Sequence, residues 1–123
     1  MASDVISEKS FKFASRCIRL HLYLSERRSV CDISRQLLRS GTSIGANVRE
    51  GLFAQTKADF LTKYSIAKKE ASECLYWIEL LKDTEILTMS EADSMICDCK
   101  ELLSLLIATC KTTAASIRKL GKV

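Results

Sequence analysis

The sequence predicts an all-α protein: an antiparallel up-down-up-down four-helix bundle, folded as one domain over residues 1 to 123. Three observations carry this reading. The 123-residue chain contains no proline, so no residue type in it forces a helix to break. Apolar side chains recur at steps of three and four along four separate stretches, which is the spacing of one helical face. The segments between those stretches are a few residues long, and short connections set consecutive helices side by side in opposite directions. The composition, 47% apolar and 28% charged, is that of a globular protein with a core.

The first helix is expected from about Ser3 to Leu24, with Ile6, Phe13, Cys17, Leu20 and Leu24 on one face. The second is expected from near Arg27, after a Ser25 cap, and carries Val30, Ile33, Leu37, Gly41, Ile44 and Val48. That stripe passes without a phase break through "SGTSIGANVREG", residues 40 to 51, which holds three of the four glycines in the chain. The glycines therefore belong inside or at the end of a helix, not in a loop. Neither the Walker pattern nor the dinucleotide fingerprint matches their spacing. A glycine within a helix costs about 1 kcal/mol relative to alanine, so close packing has to compensate. Gly41 lies on the stripe and leaves room for a neighbouring helix. Gly51 stands where the stripe stops and suits a left-handed C-terminal cap.

The third helix is expected to begin at Thr56, an N-cap with Asp59 three residues on. Phe60, Tyr64, Ala67, Ala71, Cys74, Ile78 and Leu81 then form a heptad seam, and its alanines admit a close neighbour. The fourth helix is expected after Ser90, with Asp93 in the reciprocal capping position. Its stripe is Met95, Cys99, Leu102, Leu106, Cys110, Thr113 and Ile117.

Several function classes are set aside by what the chain carries. Its longest apolar patch, Leu102 to Ala108, already contains Ser104 and falls short of the roughly 18 to 20 residues that span a bilayer. The start shows neither a basic n-region nor an apolar h-region, so no signal peptide, no membrane association and a cytoplasmic location are expected. The six cysteines, at 17, 31, 74, 97, 99 and 110, include no Cys-x-x-Cys. On a helix Cys97 and Cys99 point about 200° apart, poor geometry for chelation. Buried reduced thiols, no metal and no cofactor are expected. The lone histidine, His21, has Ile18 three residues before it instead of the glutamate of di-iron bundles, and is read as a surface or interface residue. Asn47 and Glu50 make up no named catalytic mechanism. Trp77, beside Tyr76, has the chemistry to stack a base, but an apolar helix favours packing. A non-enzymatic protein with no catalytic residue is expected.

Charge and a second apolar face carry the functional expectation. Residues 1 to 52 hold nine basic and five acidic side chains, residues 53 to 107 six and ten, and the last sixteen four and none. On the first helix Lys9, Lys12, Arg16 and Arg19 form one basic line; on the second, Arg28, Arg35 and Arg39 form another. Such lines suit a phosphate backbone, which attracts cations without base-specific contacts, though a solvated face is the plainer reading of either line alone. Phe11, Ile18 and Leu22 lie within about 40° of one another, nearly opposite the Ile6/Phe13/Leu20 stripe. Two apolar faces on one helix predict a core side and a partner-subunit side, hence a homo-oligomer.

"RQLLRSGTSIGANVREG", followed by "KADF" and "SIAKKEASECLYWIELLK", resembles the four-helix-bundle family encoded in intervening sequences of bacterial 23S ribosomal RNA genes. The likeness covers about Leu24 to Leu120. It rests on Ser43-Ile44, Asn47 and Glu50-Gly51, then Ser65-Ile66-Ala67 on the next helix; where many members carry proline this chain has Gly45, a departure at the local helix bend. The resemblance implies a homopentameric barrel and no defined catalytic residue. It also implies RNA or DNA as partner, the role usually proposed for the family. A related branch serves as accessory protein to the reverse transcriptase of diversity-generating retroelements. Two functions follow: an oligomeric nucleic-acid-binding protein, or a protein-interaction scaffold such as a reverse-transcriptase accessory factor.

Overall fold

The computed structural model describes residues 2–26 and 31–121, and within them it contains four helices and no strand. They are α1 (Ala2–Leu24), α2 (Cys31–Leu52), α3 (Lys57–Asp83) and α4 (Met89–Gly121). Each packs on the next, and α4 returns to α1 to close the ring along its least extensive seam. Direction follows from the contacts. Ser10 and Cys17 of α1 face Gly45 and Gly41 of α2, so one helix descends as the other climbs. Gly41 and Gly51 meet Cys74 and Tyr64 of α3 in the same opposed sense. Between α3 and α4 the pairs are Lys82 with Asp93, and Ser65 with Cys110.

The expected stripes make the core. Ile6, Phe13, Cys17 and Leu24 of α1 and Leu37, Ile44 and Val48 of α2 are buried, as is the α3 seam from Tyr64 to Leu81. Met95, Cys99, Leu102, Leu106 and Cys110 of α4 complete it. Burying each leucine- or isoleucine-sized side chain contributes about 1.5–3 kcal/mol. Leu20, Ile33 and Phe60 are half-buried at its edge. Leu87, in the turn before α4, and Ala92 are also buried; neither belongs to the expected stripes.

Capping meets expectation at α3 and departs from it at α4. At α3 the prediction holds: Thr56 Oγ1 accepts from the Asp59 amide at 3.0 Å. At α4 the reciprocal box is Thr88 with Glu91, at 3.0 and 3.2 Å, two residues ahead of Ser90 and Asp93. Thr88 wins because Leu87 is anchored in the core just before it. Ser25 closes α1: its amide donates to the His21 carbonyl at 2.8 Å and its hydroxyl to the Leu22 carbonyl at 2.7 Å. The expected helix start at Arg27, with Val30, lies outside the described residues.

The glycines take up close approaches. A Cβ on Gly41 would lie 2.9 Å from the Cys17 Cβ, so this position admits α1 as expected. Gly51 is no left-handed cap: α2 continues to Leu52, and no described glycine has positive φ. A Cβ there would lie 2.7 Å from the Tyr64 ring, so the aromatic side chain, not the backbone, demands glycine. At Gly45 α2 is unbroken, with a would-be Cβ at 3.4 Å from the Ser10 carbonyl oxygen. Buried Ser40 and part-buried Thr42 return their hydroxyls to carbonyls one turn back, which keeps this small-residue face free of unsatisfied polar groups. No described helix is long and apolar enough to cross a membrane.

Candidate assembly and nucleic-acid surfaces

The second apolar face of α1 is open to solvent: Phe11, Ile18 and Leu22 are 63%, 45% and 63% exposed. The bundle uses the opposite face of α1, so these three contribute nothing to its own core. Beside Phe11 a cleft of about 530 Å³ lies between α1 and α2. Its floor is made of small side chains, Ser7, Ser10 and Ala14 against Thr42, Gly45 and Ala46. A projecting ridge and an adjacent shallow groove on one surface are the ingredients of self-complementary packing.

The basic lines meet partners within the fold. Lys9 pairs with Glu101 and Arg16 with Asp98, both across the α1/α4 seam. Arg16 also donates to Ser94 Oγ at 3.0 Å. Lys12 pairs with Glu8 one turn earlier, at 2.8 Å. Arg19 has no ion pair among the described residues and lines a cleft with Leu20, Tyr23 and Met95. On α2, Arg35 pairs with Asp32 at 3.3 Å. Arg39 holds both Glu70 (3.3 Å) and Glu73 of α3, and Glu73 also accepts from Trp77 Nε1 at 3.1 Å. Arg28 lies outside the described residues.

Two physical consequences follow. A hydrogen bond from Lys9 to Glu101 raises the lysine's hold on its proton. Burial would raise the Glu73 carboxyl, but the hydrogen bonds from Arg39 and Trp77 outweigh it and hold the group below the ordinary carboxylate value. These pairs are exposed or half-exposed and screened by solvent, so they orient helices more than they hold them together. The α1 line falls at the boundary between core face and solvent face, where α4 presents Asp98 and Glu101. The sequence contains that complementarity, but only the register of α1 against α4 brings the two sets together.

Other polar groups have local partners. His21 Nδ1 lies 2.6 Å from the hydroxyl of buried Ser34, so the histidine joins α1 to α2. Asn47 donates to the Ser43 carbonyl at 2.9 Å, and Glu50 pairs with Lys63 at 3.7 Å. Trp77 is half-buried against the core while Tyr76 is 57% exposed, with ring centroids 5.2 Å apart. Cys17, Cys74, Cys99 and Cys110 are buried free thiols, and Cys97 is exposed. Burial pushes the Cys74 and Cys99 thiols up to about 12, and Cys17 is raised for the same reason. Thiols so disfavoured as thiolates are neither nucleophiles nor ready metal ligands.

The comparisons agree with this fold. The family model of the 23S rRNA-intervening sequence protein matches residues 4–108, so the last turns of α4 lie beyond it. A crystal structure of a protein of unknown function from the S23 ribosomal protein family of Bacteroides thetaiotaomicron is 45% identical. It superposes with a TM-score of 0.86, covering 90% of this chain and 99% of its own. No curated protein matches the chain.

Proposed function

The chain belongs to the 23S rRNA-intervening sequence protein family, and from that premise we propose a non-enzymatic protein that assembles with copies of itself and holds nucleic acid. The exposed Phe11/Ile18/Leu22 ridge beside the small-residue cleft carries the reading. Its occupant is a second copy of the chain, because ridge and groove lie on the same surface and every copy supplies both. The resemblance noted from the sequence supports a pentamer as the form of that assembly. Assembly repeats the formal charge of +4 in every subunit, and weak phosphate contacts repeated on one scaffold act together. A non-catalytic role is supported by the local use of Asn47 and Glu50 and by the protonated, buried thiols.

Light scattering coupled to gel filtration tests the assembly. The wild type is expected to run as a multimer at micromolar concentration, and Ile18→Asp as a folded monomer, because an unpaired carboxylate in an apolar interface is strongly disfavoured. A monomeric wild type sinks the proposal.

A second reading rests on a different observation. Five of the cations expected to face nucleic acid, Lys9, Lys12, Arg16, Arg35 and Arg39, already meet carboxylates. That arrangement favours a scaffold whose partner is a protein, such as an accessory factor of a retroelement reverse transcriptase. A wild type that assembles but binds no nucleic acid at low salt supports it.

A further inference from the structure

Besides Arg19 on α1, several cations without a carboxylate partner lie together on a different part of the molecule. On α4, Lys100, Lys111 and Arg118 are exposed, and none has an ion pair among the described residues. Their spacings of eleven and seven residues are close to whole numbers of turns, so the three stand on one line. Its length from Lys100 to Arg118 is about 27 Å at 1.5 Å per residue. From Leu102 to the end of the chain there is no acidic residue.

The neighbouring edge of α3 extends the same surface. Lys57 donates to Ser116 Oγ at 2.6 Å and Lys82 pairs with Asp93, so both ends of that edge face α4. Lys68 stands on the same edge, eleven residues from Lys57 and fourteen from Lys82. Ser65 against Cys110 and Ala71 against Cys99 place Lys68 between the levels of Lys100 and Lys111. Lys68 too has no ion pair among the described residues. Of the nearby carboxylates, Asp98 and Glu101 meet α1 and Glu70 and Glu73 meet Arg39 of α2, while Glu79, Asp83, Glu85 and Asp93 gather at the Lys82 end of the seam. At that end, exposed Tyr76 and Lys100 line one cleft of about 930 Å³ together with Lys82 and those four carboxylates.

Resting on the nucleic-acid reading above, we infer that the α3/α4 seam is the contact surface, and that it takes a single strand of RNA or DNA. Lys68, Lys100, Lys111 and Arg118 track the phosphates, and Tyr76 offers a ring on which a base stacks. A row of cations with an aromatic platform at one end is the chemistry of sequence-tolerant single-strand binding. The same ion-pair pattern that ties α1 to α4 and α2 to α3 leaves the stretch of this face around Lys68, Lys111 and Arg118 electropositive, with the acidic residues at its Lys82 end.

Fluorescence anisotropy tests this with a short labelled RNA, the same sequence as single-stranded DNA, and the DNA duplex, each over a series of salt concentrations. Replacing Lys68, Lys100, Lys111 and Arg118 together by Gln is expected to weaken single-strand binding more than tenfold at low salt. It should also flatten the log–log salt slope by about 3 (some 0.7 for each of four phosphates), with helicity and assembly mass unchanged. Lys9→Gln with Lys12→Gln is expected to bind as wild type. Tyr76→Ala should weaken both single strands and leave the duplex unaffected. A quadruple variant that binds like wild type, or a Lys9/Lys12 variant that loses binding, overturns the placement while the nucleic-acid reading survives. Preference for the duplex overturns the single-strand assignment. A wild type that binds none of the three probes overturns both and leaves the protein-scaffold reading. Comparing the two single strands separates RNA from DNA.

Discussion

Gly41 of α2 lies so close to Cys17 of α1 that a Cβ added to the glycine would sit 2.9 Å from the cysteine Cβ. Two backbones are held together there because one residue has no side chain and the other a small one. The contact is at the centre of the core, with Cys74 of α3 as third neighbour at 3.8 Å from the same point.

Gly41→Ala should therefore destabilise the fold although alanine is the better helix former. The propensity gain is about 1 kcal/mol, and overpacking costs about 1–3 kcal/mol, so a lower melting temperature is expected. Gly121→Ala is the control, since nothing lies within 4 Å of its would-be Cβ. Cys17→Ala should recover part of the Gly41→Ala loss in a double-mutant cycle. Equal melting temperatures for the two glycine variants would remove the close approach from the account.

Tyr64 buries its hydroxyl without a hydrogen-bond partner among the described residues. Its ring stacks on Phe60 at 4.1 Å and fills the space Gly51 leaves. An unsatisfied buried hydroxyl costs about 1–3 kcal/mol. Tyr64→Phe keeps the ring and removes that cost, so denaturant titration should show a variant as stable as wild type or more so. A clear loss of stability would show that the hydroxyl is bonded after all.

The Arg39–Glu73 pair predicts a pH dependence with a definite sign. Because the fold lowers the Glu73 carboxyl, the unfolded chain binds that proton more readily. The stabilisation is present above the unfolded value of about 4.3 and is lost as pH falls through the lower folded value. Arg39→Gln should lower the melting temperature most near neutral pH, with the gap to wild type closing in acid. A gap that stays constant across the acid range would show that Arg39 acts through packing alone.

Thiol reactivity should divide the cysteines. Cys97 is exposed, whereas Cys17, Cys74 and Cys99 are buried with their thiols pushed upward. Brief alkylation of the folded protein, followed by peptide mass spectrometry, should modify Cys97 and spare those three until denaturant is added. Rapid native labelling of Cys74 would mean that the core opens readily.

The local and periodic features of this protein were legible in the sequence. Four helices, the buried α3 seam from Tyr64 to Leu81, the Thr56 cap and the open ridge of Phe11, Ile18 and Leu22 all follow from side-chain spacing along a single helix. Spacing along one helix is a property of the chain itself, so no neighbour had to be known. What lies opposite each residue is set by how helices slide against one another, and only the tertiary structure decided it. By its place on the stripe Gly51 suits a cap, but the Tyr64 ring packs against it. Ser90 read as the start of α4, but Leu87 anchors in the core and moves the box to Thr88 and Glu91. The basic lines of α1 and α2 read as open to phosphate, yet register sets Glu101, Asp98, Glu70 and Glu73 against them. Charge is neutralised by whatever stands within a few ångströms, and that distance belongs to the packed fold. The same register that closes the α1/α4 and α2/α3 seams with ion pairs leaves Lys68, Lys100, Lys111 and Arg118 without one.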